Sequence, residues 1–181
     1  EAARSTTEAK KWLAEIKKTP SEFQKDATLL LRQSSGGEDA PLTSFEDAIA
    51  VADASAKAAN ETSVAAEVKS NWLEAEKAYT KAIEFSADVK DKNRVLATRL
   101  MLATAQYQVG KAVEGYTTAL TLAKEPNYSK APTAASLAVS IALYLYGQSR
   151  DAAAMARINE STEFLLNKWP QHAEADDARI A

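Results

Sequence analysis

Cysteine is absent from the 181-residue chain, which excludes a disulfide framework, a thiolate nucleophile and cysteine-ligated zinc. Histidine occurs once, at His172. Five glycines and five prolines are too few for the turns of a multi-stranded sheet, and no stretch alternates apolar and polar residues with period two. No apolar run reaches the ~18 residues that span a bilayer, and the best candidate, Leu137 to Tyr146, is broken by Ser140. No membrane insertion is expected within this segment. An excess of one sign of charge is also lacking. Lysine and arginine number 22 against 25 acids, the net charge is −3 and the pI about 5.4, so a phosphate-binding basic stripe is missing and nucleic acid is not an expected partner.

What the chain has in quantity is alanine, at 38 residues, the best helix former and one that lets helix axes approach closely. Apolar residues recur at helical spacing. Trp72, Ala75, Tyr79, Ala82 and Ile83 form one stripe, and Leu96, Leu100, Ala103 and Tyr107 another. Val113, Tyr116 and Leu120 follow, then Leu137, Ile141, Tyr144 and Leu145. Met155, Ile158, Thr162, Leu165 and Trp169 repeat the pattern near the end, and shorter stripes run through Phe23, Ala27, Leu30 and Leu31 and through Phe45, Ala48, Ile49 and Ala52. Trp12, Trp72 and Trp169 are expected to pack in the core or between layers.

Punctuation agrees with the stripes. Thr19-Pro20-Ser21-Glu22 and Thr43-Ser44-Phe45-Glu46 read as capping boxes, in which a hydroxyl accepts a free backbone N–H and a glutamate reaches back. Ser35-Gly36-Gly37 and Asp39-Ala40-Pro41 bracket a loop. Gly110 and Gly147 each follow a stripe, where a left-handed residue closes a helix, and Pro126, Pro132 and Pro170 fall between stripes or at their starts. These signals predict helices over 3–18, 21–34, 43–59, 62–86, 91–109, 111–124, 131–146, 149–168 and 173 onward. Their short connections imply antiparallel neighbours.

The pattern also repeats. Ile16 to Pro20, Leu122 to Pro126 and Leu166 to Pro170 each read as a helix end followed by proline. Glu74-Ala75-Glu76-Lys77-Ala78-Tyr79-Thr80-Lys81-Ala82 resembles the second helix of a tetratricopeptide repeat, with its small residue, aromatic and alanine at Ala75, Tyr79 and Ala82. Tyr116, Ala119 and Leu120 repeat that step, and Ala103 to Gly110 is similar to the end of a first helix. Phe164 to Ala181, with Trp169-Pro170 and Ala175-Asp176-Asp177-Ala178, resembles units of bacterial envelope-associated members. The likeness runs from about Trp72 to Ala181, with residues 1–70 divergent. It departs from the family where Gly110 and Tyr116 stand three residues too close and where Ala156 replaces an aromatic. The resemblance implies an all-α fold, a right-handed superhelix of antiparallel helix pairs in which stacking completes each unit's core. A single helical-repeat domain over 1–181 is expected. The resemblance leaves the location open between the periplasm or cell envelope and the cytoplasm.

No residue pattern argues for catalysis, and no catalytic residue, metal ligand or cofactor is expected. His172 sits in a helix-start sequence, where an exposed or capping role outweighs a chemical one. The carboxylates Asp88 and Asp91, and Glu174 with Asp176 and Asp177, suit helix starts, where the macrodipole favours them. Calcium loops, phosphate loops and dinucleotide fingerprints are not present. In the resembled family the first helices line a concave surface that receives peptides, which implies partner-binding roles for Tyr107, Tyr144 and Tyr146, with Arg94, Arg99, Gln106 and Gln108 as polar contacts. Tyr144 and Tyr146 cannot both face one way on a helix, so at least one should be accessible. The expected function is a scaffold holding a protein or peptide. The alternative is a spacer or oligomerisation module of a larger protein. The absence of an initial methionine suggests a processed protein or fragment, and the helix-start sequence at Ala178 to Ala181 suggests that the natural chain continues.

Overall fold

The structure, a computed structural model, describes residues 2–18, 23–35 and 41–179. The Thr19 to Glu22 box and most of the Gly36-Gly37 loop lie outside them. Among the described residues there are nine α-helices and no strand: α1 (Ala2–Lys18), α2 (Gln24–Ser35), α3 (Phe45–Glu61), α4 (Ala65–Glu84), α5 (Lys92–Gln108), α6 (Ala112–Ala123), α7 (Ala131–Ser149), α8 (Ala152–Lys168) and α9 (Ala173–Ala178). A single 3₁₀ turn, Phe85–Asp88, follows α4.

Three helix starts are set by short side chains. Ser44, Asp91 and Asp151 cap α3, α5 and α8 by accepting from the backbone N–H three residues on, at 3.2, 3.2 and 2.7 Å. The box at Thr43 is thus shifted by one residue: Ser44 is the cap, and the Thr43 hydroxyl donates to Asp47 instead. Asp91 and Asp151 therefore serve helix starts, and His172 stands exposed before α9 and accepts the Glu174 N–H on Nδ1 at 3.3 Å. At the end of α5, Gly110 adopts φ +89°, and the Lys111 N–H returns to the Gln106 carbonyl at 2.8 Å in a Schellman-type closure. Gly147, by contrast, does not end its helix. The chain stays helical through Ser149, and Arg150 takes the left-handed conformation at φ 52°.

Consecutive helices pack against one another from α1 to α9. The α3–α4 pair is joined by alanine ridges, Ala48, Ala52, Ala56 and Ala59 against Ala75, Ala78 and Ala82, with Trp72 and Tyr79 filling the space beside them. Alanines let these two helices approach closely, and Trp72 and Tyr79 are themselves buried beside them. The α5–α6 pair also approaches closely at one point. A Cβ on Gly115 would lie 2.9 Å from the Ala103 carbonyl oxygen and 3.2 Å from the Tyr107 nitrogen. Ala103, Tyr116, Ala119 and Ile141 then link α5, α6 and α7, and Leu122, Ala135, Val139, Leu165 and Ala175 link α6 to α9.

Contacts also skip one helix. Arg94 on α5 forms a two-pronged ion pair with Glu46 on α3 and lies 5.4 Å over the Phe45 ring. Lys111, at the start of α6, reaches Glu76 on α4 at 2.9 Å. The Tyr116 hydroxyl on α6 sits between the Arg157 carbonyl (3.2 Å) and Glu160 Oε2 (3.1 Å) on α8, where burial and then the neighbouring Glu160 push its pKa up to about 12. Odd helices thus touch odd helices, and even helices touch even ones.

Several stripe residues face solvent, contrary to the periodicity: Phe23, Leu30, Val113, Met155 and, above all, Trp12 at 72% exposure. Trp72 is buried, and Trp169 packs edge-on against Phe164 with ring centroids 5.7 Å apart. Trp12 stands on the side of α1 turned away from α2, the helix that α1 chiefly meets among the described residues.

Candidate interaction face

On α5, 100° per residue places Ala103 and Gln106 toward α6, and Met101, Thr104 and Gln108 on the side turned away from it. Ala103 packs with Tyr116 and Ala119, and Gln106 Oε1 accepts from the Thr118 hydroxyl of α6 at 3.0 Å. Met101 and Gln108 are exposed and Thr104 half-buried. On α7 the corresponding outer side carries Thr133, Ser140, Tyr144, Gly147 and Gln148, all exposed. This helix has no charged residue in its 19 positions.

Next to this strip lies an open cleft of about 530 Å³ lined by Asp53, Ala56, Lys57, Asn60, Tyr79 and Met101. Its floor is rigid. Tyr79, 1% exposed, donates from its hydroxyl to Asp53 Oδ1 at 2.8 Å, and Lys25 of α2 pairs with Asp53 Oδ2. Burial first, then the Asp53 charge and its hydrogen bond, hold the Tyr79 phenol well above its ordinary pKa. Lys57 extends over the rim and lies 3.8 Å from Glu61 one turn on.

Of the residues singled out in the sequence, the fold brings Tyr107 and Tyr144 together. Their rings meet edge to face, with centroids 5.2 Å apart and planes at 81°, across the α5–α7 contact. Tyr144 is 42% exposed, so the requirement that one of Tyr144 and Tyr146 be accessible is met. Tyr146 lies about 200° further round the helix and is half-buried. Arg94 stands about a helix length from Tyr107 and is engaged with Glu46 and Phe45. Gln106 is engaged with Thr118, and Arg99 lies half-buried on the same side of α5 as Gln106. Sequence reasoning did not single out Met101, Ser140, Asp53 or Lys57. The available signals were Met101, Thr104 and Gln108 at i, i+3 and i+7 opposite the apolar stripe, and the charge-free run from 131 to 149. Among the described residues no three histidine, aspartate or glutamate side chains converge as a metal site would require, and no helix is long and apolar enough to cross a membrane.

Neither protein-family models nor curated proteins nor solved structures gave a match to this chain.

Proposed function

We propose that the chain is a tetratricopeptide-like α-α solenoid that holds a peptide segment of a partner protein on the face formed by α3, α5 and α7. The odd-to-odd and even-to-even contacts support a solenoid, because stacked helix pairs place every second helix in the same row. The observation that carries the binding role is the uncharged strip formed by α7 and by α5 from Met101 to Gln108, two turns beyond Arg94, which lies on the same side and is engaged with Glu46. About a quarter of the chain is charged, at 26%, yet the outer sides of these two helices present Met101, Thr104, Gln108, Thr133, Ser140, Tyr144 and Gln148. Interface centres are depleted of charge and enriched in tyrosine and methionine, and hot spots concentrate in such aromatic anchors. Tyr144, held against Tyr107, loses little freedom on binding. The cleft at Asp53 and Lys57 would add polar contacts at one end.

The test is a displayed peptide library selected on the 181-residue chain. Peptides low in charge are expected, and Tyr144→Ser or Ser140→Glu should weaken them at least about tenfold, while Lys77→Glu on the exposed side of α4 leaves them unchanged. Selected peptides that bind Ser140→Glu as well as the parent chain would refute the assignment of this face.

A further inference from the structure

Another cleft, of about 330 Å³, opens between α2 and α4 with α3 as its floor. It lies about half a turn round α3 from Asp53 and Lys57. The floor is a consequence of helix geometry. α3 turns Ala52, Ala56 and Ala59 toward α4 and sets Ala50 beside Lys25 and Leu29 of α2, which leaves Val51, Ser55 and Ala58 facing the gap. Three polar side chains meet on this largely apolar floor: Ser55 of α3 and Asn71 and Glu74 of α4, all half-buried. Asn71 and Glu74 stand about 60° apart on one edge of α4. None of the three makes a hydrogen bond or ion pair with another described residue. Their neighbours do. The Thr28 and Thr80 hydroxyls donate to carbonyls of their own preceding turns at 2.8 Å, and Glu76 is paired with Lys111. Arg32 of α2 lines the same cleft from the other side and forms no ion pair with Glu74. Arg32 is also engaged within the chain, and with five N–H donors it can hold that contact and a carboxylate together.

We propose that this cleft binds a free α-amino acid with an aliphatic side chain. An ammonium group carries three N–H donors, and the α3–α4 side offers acceptors for them in the Glu74 carboxylate, the Asn71 amide oxygen and the Ser55 hydroxyl. The ligand carboxylate goes to the Arg32 guanidinium, whose parallel N–H donors match its two oxygens. The aliphatic side chain lies on Val51, Ala54 and Ala58. Two charges of opposite sign in one cleft select against molecules that carry only one. A simple amine that pairs with Glu74 meets the like charge of Arg32, and a simple carboxylate that pairs with Arg32 meets that of Glu74. The volume also selects. It stands at the lower end of the range of about 300–1,000 Å³ for small-molecule sites, which suits a single amino acid better than a nucleotide. This site is separate from the α3–α5–α7 strip, so either can exist without the other.

Isothermal titration calorimetry on the 181-residue chain tests this with three probes: L-leucine, isoamylamine, which lacks the carboxylate, and 4-methylpentanoate, which lacks the ammonium. Leucine is expected to bind with a Kd of about 1 mM or tighter, and each analogue at least about tenfold more weakly, as the loss of a charge-assisted hydrogen bond requires. Glu74→Gln and Arg32→Met should each weaken leucine by a similar factor, while Lys92→Gln, at the exposed start of α5, leaves it unchanged. Because Glu74 has no partner among the described residues, Glu74→Gln should keep the parent's melting temperature, so its binding result can be read even if Arg32→Met fails to fold. Absence of saturable leucine binding up to about 10 mM overturns the proposal. So does an amine or acid analogue that binds as tightly as leucine, or leucine affinity that survives Glu74→Gln. A melting temperature lowered by more than about 4 °C in Glu74→Gln would mean that the carboxylate serves the chain itself, which also overturns it.

Discussion

Removing the Tyr79 side chain should be among the most damaging single changes in the chain. The ring is 1% exposed and packs among Val51, Ala52, Ala56 and Ala75, where small neighbours on two rigid alanine ridges have little freedom to collapse into the void. Truncating a buried aromatic costs about 3–5 kcal/mol. For a domain of this size each kcal/mol lowers the melting temperature by about 2–4 °C, so Tyr79→Ala should lose roughly 6–20 °C. Tyr79→Phe separates the hydroxyl from the ring. It keeps the packing and removes only the 2.8 Å bond to Asp53, whose other oxygen still has Lys25. Because the Asp53 side chain is about a third exposed, water can replace the lost donor, and a cost near ~1 kcal/mol, or about 2–4 °C, is expected. The pH dependence carries an independent signature. Burial and Asp53 raise the native phenol's pKa above its ordinary 10.0, so its stabilising contribution is complete below that value. It falls away as pH rises above 10.0, because the unfolded phenol ionises while the native one cannot. Tyr79→Phe should therefore show a shallower loss of stability in alkali than the parent. Thermal melts by circular dichroism across pH measure both effects. A Tyr79→Ala melting temperature within about 2 °C of the parent would refute the packing argument.

Gly115→Ala should destabilise by about 1–3 kcal/mol in chemical denaturation, because its Cβ would press on the backbone of Ala103 and Tyr107, which cannot rotate away. Gly147→Ala should do the opposite. The residue is helical and exposed, and a Cβ there would meet nothing within 4 Å, so about 0.5–1 kcal/mol of helix propensity is recovered, raising the melting temperature by about 1–4 °C. Burial pushes the Asp47 carboxyl up, but hydrogen bonds from Lys17 and Thr43 outweigh it and hold the group below its ordinary 3.8. Its contribution is thus present above pH 3.8 and lost as pH falls through the lower native value. Asp47→Asn should flatten the acid limb of a stability-versus-pH curve, and an unchanged limb would show that the Lys17, Thr43 and Ser44 contacts do not outweigh burial in solution.

Helix number and placement were legible in the residues, because helical periodicity and short-range capping act within a few residues of each other. Alanine content, the break at Gly110 and the capping Asp91 all operate through local backbone geometry. Where two local signals competed, the structure arbitrated. Gly147 permits a helix end but does not compel one, and α7 continues to Ser149, closed by Arg150 in the left-handed conformation. Periodicity also cannot say how many sides of a helix have neighbours. It placed Trp12 and Trp72 alike, yet α4 lies between α3 and α5 while α1 meets chiefly α2, so one tryptophan is buried and the other stands in solvent. The pairing of Tyr107 with Tyr144, the use of Arg94 to tie α3 to α5, and the meeting of Met101 with Asp53 and Lys57 at one cleft all join residues far apart in the chain. Such contacts depend on how helices cross, which is settled by the summed shape of many small side chains. The sequence alone determined that this chain is helical and where most helices begin and end. Only the tertiary structure decided which faces remained open, because exposure belongs to the neighbours of a helix and not to the helix itself.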